Sequence, residues 1–251
     1  MIFIVSGEGS TDIGSCSNGQ GKCAGEDFRA GAMTVIIDKL IEPLTKYSLL
    51  EAKAIEFVSE HTVSSSSKKL PMSLSAGKKR DYETAFFFKN ARALARLAIE
   101  KSKSSRETPI GAVLFRDADG TRSTERGLFE TKWKSIEDGF NAENFDTGIP
   151  MVPKPKSEAW ILCALKSHQY QSCAPLEDSL SGNDTCPNPA KEQLEVILCS
   201  QGKTVNDLPD MVKDGTISPT RIDMPSFNQF RKRLETVTHK MLGQSRPTTG
   251  I

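Results

Sequence analysis

The sequence has no apolar run approaching the roughly 20 residues that span a bilayer, and no basic segment followed by a cleavable apolar one. Membrane insertion is thereby excluded. Met1 leads directly into a strand that the core needs, so a cytoplasmic protein is expected. There is no Cys-x-x-Cys pair and no Gly-x-x-x-x-Gly-Lys-Ser/Thr loop, which removes the common zinc modules and nucleotide binding of the P-loop kind. The chain also lacks a charge surplus: Lys and Arg total 33 against 32 for Asp and Glu. Global charge therefore says nothing about partners, and only local clusters can. The six cysteines sit in a chain too long to need disulfides and are read as thiols. One alternative is zinc held by Cys16 and Cys23 with His61 or His168, although that spacing is not that of a known finger.

The 251 residues can bury a sizeable core, and a hydrophobic fraction of 37% beside 26% charged residues is that of a soluble protein. Two stretches carry the chemistry. Ile110 to Phe115 is a short apolar run between Pro109 and Gly120, which suits a strand covered on both faces, and it runs into Asp117 and Asp119. In open α/β sheets ligands bind at the carboxyl ends of strands, where an Asp-x-Asp pair places two hard oxygen donors side by side. Met1 to Ser6 is a second apolar strand, followed by Glu8 between Gly7 and Gly9, and by Asp12 four residues on. A helix beginning near Ser10 would set Asp12 in its first turn. The two glycines leave room for backbone and phosphate to approach.

Taken in order, residues 13–31 are glycine-rich and predict a long surface loop placed to act as a lid. Met33, Ile36, Ile37, Leu40, Ile41 and Leu44 predict a helix over 32–47, kinked or stopped at Pro43. A strand is expected over 53–58. Residues 60–80 turn serine-rich and basic, with Lys68, Lys69, Lys78, Lys79 and Arg80 giving five cations in thirteen residues. They predict a mobile loop, either merely solvated or a phosphate-gripping arm. Helices follow over 82–102 and 127–139. Residues 149–153, with two prolines, predict an edge strand or strand end. Ser157 then caps a helix holding Glu158 in its first turn and Trp160 on its apolar face. A turn-rich link over 169–189 leads to helices over 190–199 and 226–242, the latter with a core-facing stripe of Phe227, Phe230, Leu234, Val237 and Met241. Arg231, Lys232 and Arg233 lie elsewhere on it and read as solvated, and 246–251 reads as a loose tail.

Alternating strands and helices predict an α/β fold with a parallel sheet flanked by helices. Acids then occur after the first strand (Glu8, Asp12), the third (Asp117, Asp119) and the fourth (Glu158). Such carboxylates at one sheet edge repel one another, and a divalent cation removes that cost. Two Mg²⁺ or Mn²⁺ ions about 4 Å apart would activate a water and stabilise the leaving oxygen of an in-line phosphoryl displacement. Arg116, Arg122, Lys154 and Lys156 stand close in sequence, where they could hold non-bridging phosphate oxygens. Each motif alone also has a bland reading: Asp-x-Asp-Gly is ordinary turn chemistry, and Glu8, Asp12 or Glu158 can simply complement a helix dipole. The combination, each acid after an apolar strand, favours the site.

These residues resemble the Toprim fold, shared by topoisomerases, primases, small RNases and nucleases of the OLD (overcoming lysogenization defect) type. Glu8 matches that family's glutamate after the first strand, and Asp117 with Asp119 matches its Asp-x-Asp after the third. Gly7-Glu8-Gly9-Ser10-Thr11-Asp12 looks like the OLD-type branch. Pro155-Lys156-Ser157-Glu158-Ala159-Trp160 is similar to a segment of small stand-alone Toprim proteins in bacterial defence and mobile elements. The match covers roughly residues 1 to 165. It implies a Toprim-like (Rossmann-like) catalytic domain over 1–167 with insertions at about 13–31 and 60–80, and a mainly helical extension over 168–251 packed on the core.

The resemblance also implies metal-dependent chemistry on nucleic acid, with Glu8 as ligand or general acid/base and the aspartates as metal ligands. The candidate catalytic set is Glu8, Asp117, Asp119 and Lys156. The metal set is Glu8, Asp12, Asp117, Asp119 and Glu158. Arg116, Arg122, Lys154, Lys68, Lys69, Lys78, Lys79 and Arg80 form the nucleic-acid-binding set. The chain carries no ATPase segment, unlike most OLD-type nucleases, so a separate ATPase is an expected partner, and self-association stays open. A topoisomerase needs a tyrosine nucleophile in an additional domain, and only Tyr47, Tyr82 and Tyr170 are present here. A primase would need a zinc module and a priming domain. The expectation is an endonuclease cutting DNA or structured RNA, an effector of bacterial anti-phage defence. The alternatives are a non-catalytic Toprim-fold subunit that docks nucleic acid or an ATPase, and a small-molecule phosphohydrolase.

Overall fold

A computed structural model of the chain describes residues 1–70, 82–105, 108–118, 128–183, 185 and 187–244. The chain opens with β1 (Ile2–Gly7), buried from Phe3 onward, and a single wide helical turn, Gly9–Ile13. Short strands β2 (Gly14–Cys16), β3 (Lys22–Ala24) and β4 (Phe28–Ala30) precede helix α1 (Ala32–Thr45). Strand β5 (Ile55–Val58) runs straight into α2 (Glu60–Ser67), and α3 (Tyr82–Ser104) precedes β6 (Ile110–Phe115). After α4 (Leu128–Asn141), β7 (Gly148–Met151) leads into α5 (Ser157–Leu165). Four further helices follow: α6 (Leu176–Ser179), α7 (Ala190–Ser200), α8 (Leu208–Lys213) and α9 (Pro225–Met241).

The central sheet has the order β3-β5-β1-β6-β7. Strands β5, β1, β6 and β7 are parallel, and β3 adds to the β5 edge antiparallel. The sheet is therefore mixed and mostly parallel, not parallel throughout as alternation predicted. The continuous apolar runs of β1 and β6 take its centre because only those positions are covered on both faces. Pro150, which cannot donate to a ladder, sits on the outer strand β7 opposite Leu114. Helices flank the sheet: α3 lies against β6 with α2 and α4 beside it, and α9 lies against β6 and β7 with α1 and α8 adjoining. The α9 stripe is core as expected, with Phe227, Phe230, Leu234 and Val237 buried and Met241 partly so. Arg233 is not merely solvated, since its guanidinium donates to the Gly148 carbonyl at 2.7 Å.

Two expected loops are ordered. Residues 13–31 hold β2 paired antiparallel with β4, and β3 docked on the sheet edge. Residues 60–67 form α2, started by Ser59, whose Oγ accepts the Thr62 N–H at 3.3 Å, and seated by buried Val63. The serine-rich composition hid that cap and that anchor. Residues 71–81 of the basic stretch, and the tail over 246–251, lie outside the described residues.

The reading of the cysteines as thiols is overturned for four of them. Cys16 is joined to Cys23 and Cys163 to Cys173, with Cα atoms 5.7 and 5.3 Å apart. The zinc alternative falls with it, because both sulfurs of the first pair are spent on each other. Spacing rules for metal and redox motifs do not register such pairs, which the fold brings together as β3 returns past β2 and as the chain doubles back after α5. Disulfides are the usage of an oxidising compartment, in tension with the cytoplasmic expectation. Alkylation of protein prepared without reductant should leave Cys16, Cys23, Cys163 and Cys173 unlabelled while exposed Cys199 reacts. Labelling of Cys16, Cys23, Cys163 and Cys173 as well would show a reduced protein. Among the described residues no helix is long and apolar enough to cross a membrane.

Candidate metal centre

The second parallel strand, β5, lies on one side of β1, and the third, β6, on the other. The chain reverses its direction across the sheet between β1 and β6, and a crevice at such a switch point is where α/β sheets bind ligands. Register then fixes what lines it. Gly7 is paired with Phe115, so Glu8 and Arg116 emerge side by side. Val5 is paired with Phe57, and the same register carried three residues further sets Glu60 level with Glu8.

The side chains follow that placement. Arg116 Nη1 donates to Glu8 Oε2 at 2.6 Å and Nη2 to Glu60 Oε1 at 2.5 Å. The other Glu8 oxygen, Oε1, accepts the Asp117 N–H at 3.2 Å. Asp117 Oδ1 in turn accepts the Ser157 N–H at 3.1 Å, and Ser157 Oγ donates to Asp12 Oδ1 at 2.6 Å. Glu158 Oε2 stands 3.4 Å from the same hydroxyl. A continuous chain of bonds thus links Glu8, Asp117, Ser157, Asp12 and Glu158.

Local backbone makes this geometry available. Gly9 has φ +78°, and a side chain there would collide with the Asp12 carboxylate, so the turn that points Asp12 inward needs glycine. Ser157 does not cap α5 as the sequence suggested. Lys156 holds the N-cap position without a side-chain cap bond, and the cap is supplied by Asp117, two residues past β6. That swap frees the Ser157 hydroxyl for Asp12.

Crowding acids into a half-buried crevice shifts their titration. The Asp12 carboxyl is pushed up to about 6, chiefly by burial, with Glu158 and Glu8 adding to it and the Ser157 hydrogen bond and Lys156 opposing it. Asp117 is held well above the usual carboxylate range by burial first, then by Glu158, Asp12 and Glu8, against the Ser157 N–H. Hard oxygen donors that resist sharing their negative charge are the donor set a divalent cation satisfies. Among the described residues no three His, Cys, Asp or Glu side chains already form a group that could hold a metal ion.

Of the expected metal set, Glu8, Asp12, Asp117 and Glu158 converge, and Asp119 lies outside the described residues. Lys156 stands near enough to Asp12 to lower its titration. Lys154 instead pairs with Asp178 at 2.9 Å, turned toward α6. Lys68 and Lys69 are exposed at the end of α2, whereas Lys78, Lys79, Arg80 and Arg122 lie outside the described residues. Arg116 is at the centre but committed to two carboxylates. Three members were missed: Glu60, Ser157 as a bridge, and fully buried Lys132 of α4, whose ammonium donates to the Ala118 carbonyl beside Asp117 and lies 5.6 Å from the Phe87 ring centroid. Glu60 was legible, since it follows an apolar strand as directly as Glu8 does. Comparison with protein-family models, curated proteins and solved structures finds no match to the chain.

Proposed function

We propose that the chain is a divalent-metal-dependent nuclease of Toprim-like design, hydrolysing phosphodiester bonds in DNA or structured RNA. The observation that carries the reading is the bonded convergence of Glu8, Asp117, Asp12 and Glu158, from three separate places in the sequence, at the switch point of the sheet. Glu8, Asp12, Asp117 and Glu158 would hold Mg²⁺ or Mn²⁺, with Asp119 following in sequence. Such an ion supplies Lewis acidity that activates a water and stabilises the leaving oxygen. The chain's own groups do the rest. Asp12, whose carboxyl burial lifts to about 6, would give up its proton as the cation binds. In this reading Lys156 at the start of α5 would hold a phosphate oxygen, and Lys68 and Lys69 at the exposed end of α2 would track the backbone. A role in anti-phage defence and a separate ATPase partner belong to the same proposal.

The pairing of Glu8 with Arg116 favours a second reading, a binding subunit whose acids are balanced by the protein itself and do no chemistry. Incubation with plasmid, linear DNA and total tRNA under Mg²⁺ and Mn²⁺ separates the two. Cleavage by wild type is expected to fall by at least about a hundredfold in Glu8→Ala and Asp117→Ala, since even groups behind metal ligands are worth tenfold to a hundredfold. Equal background cleavage by wild type and variants on every substrate would remove the enzyme.

A further inference from the structure

Glu60 has no place in the proposed metal set, yet it shares a guanidinium with Glu8. Three adjacent strands deliver Glu60, Glu8 and Arg116 at one level, and Arg116 bridges the two acids at 2.5 and 2.6 Å. The guanidinium is held against two rings: it lies 4.7 Å from the Phe86 ring centroid and 5.6 Å from that of Phe87. We infer that Glu60 is a positioning residue that regulates cation loading, by drawing Arg116 charge away from Glu8. The inference rests on the metal reading of the site.

The physics is a competition for one positive charge. With Glu60 present, the Arg116 cation is divided between two carboxylates, and Glu8 keeps enough negative charge to attract a divalent ion. Neutralise Glu60, and Arg116 becomes the full counterion of Glu8, so an arriving ion meets a tighter pair. Remove the Arg116 charge instead, and Glu8 faces the ion with its full charge whether or not Glu60 is ionised. The two substitutions act in opposite directions, which a merely structural role for the cluster would not produce.

The test is calorimetric titration of the full chain with Mn²⁺ alone, for wild type, E60Q, R116M and the double variant, with circular-dichroism melts as the folding control. E60Q is expected to weaken Mn²⁺ binding about tenfold and R116M to tighten it about threefold, the scale of one partly screened charge interaction. The double variant should bind like R116M, because Glu60 acts through Arg116. Wild-type heat left unmoved by E60Q, or an E60Q effect that persists in the R116M background, overturns the inference while the metal site stands. No heat from wild type overturns the metal reading and this one together. Should R116M fail to fold, the E60Q arm decides.

Discussion

At pH 7.5 in the presence of a chelator, Asp12→Asn is expected to melt several degrees above wild type, and to lose that advantage by about pH 3.5. A carboxyl that titrates near 6 when folded, against about 3.9 in an unfolded chain, binds its proton more tightly in the folded state. Acid therefore favours the fold: the contribution is full below about pH 4 and is withdrawn as pH rises through 6. About two pKa units correspond to nearly 3 kcal/mol, and allowance for solvent screening leaves on the order of 1–2 kcal/mol. In a chain of this size that is roughly 2–8 °C in Tm. Asparagine keeps an oxygen for the Ser157 hydroxyl and never carries the charge, so it removes the penalty while preserving the bond. Asp117 and Glu177, also raised by burial, add slope of the same sign that Asp12→Asn leaves in place. Saturating Mn²⁺ should reverse the ranking, stabilising wild type and leaving the variant behind, since a cation relieves only the acid that is charged. A variant that melts with wild type at both pH values would mean that Asp12 carries no burial penalty, and the electrostatic case for a cation would lose its best-supported member.

Much of this was legible because strands announce themselves by apolar runs and the residue after each run falls at the crevice. Glu8, Asp117 and Glu158 were found that way. Glu60 obeys the same rule after Val58, but the serines behind it diluted every helical signal in the window, and the Ser59 cap passed for loop chemistry. Ser157 was assigned the commonest job of a serine before a helix. Its actual bond to Asp12, 145 residues away, depends on Asp117 having taken over the cap, which no local pattern encodes. Lys132 reads as one more surface lysine of an amphipathic helix until the buried carbonyl of Ala118 is placed opposite it. The antiparallel β3 was lost for a different reason. Three residues carry little periodicity, and the strand is tied to β2 by the Cys16–Cys23 link, which no local pattern announces.

Trp160→Ala is expected to cost about 3–5 kcal/mol, the usual range for emptying a large aromatic site, and to weaken Mn²⁺ binding at a proposed site that it does not touch. Trp160 is fully buried, with its ring edge-on to Phe227 at 4.9 Å and stacked on Phe230 at 5.8 Å between centroids. Its Nε1–H donates to Ser226 Oγ at 2.9 Å, and that hydroxyl donates onward to Glu177 Oε1 at 2.6 Å. This single side chain therefore pins α5 to the start of α9 and to α6. The same helix begins with Ser157 and Glu158 one turn earlier, so the position of the site's bridging hydroxyl is set by packing at Trp160. Trp160→Phe separates the two contributions. It keeps most of the ring contact, gives up the bond to Ser226 for about 1–2 kcal/mol, and should retain Mn²⁺ binding, whereas the alanine variant, even when folded at low temperature, should bind Mn²⁺ more weakly than wild type. An alanine variant that is destabilised yet binds Mn²⁺ as wild type does would show that α5 is held in place by Asp117 and the crevice alone, with the C-terminal helices serving stability and nothing at the site.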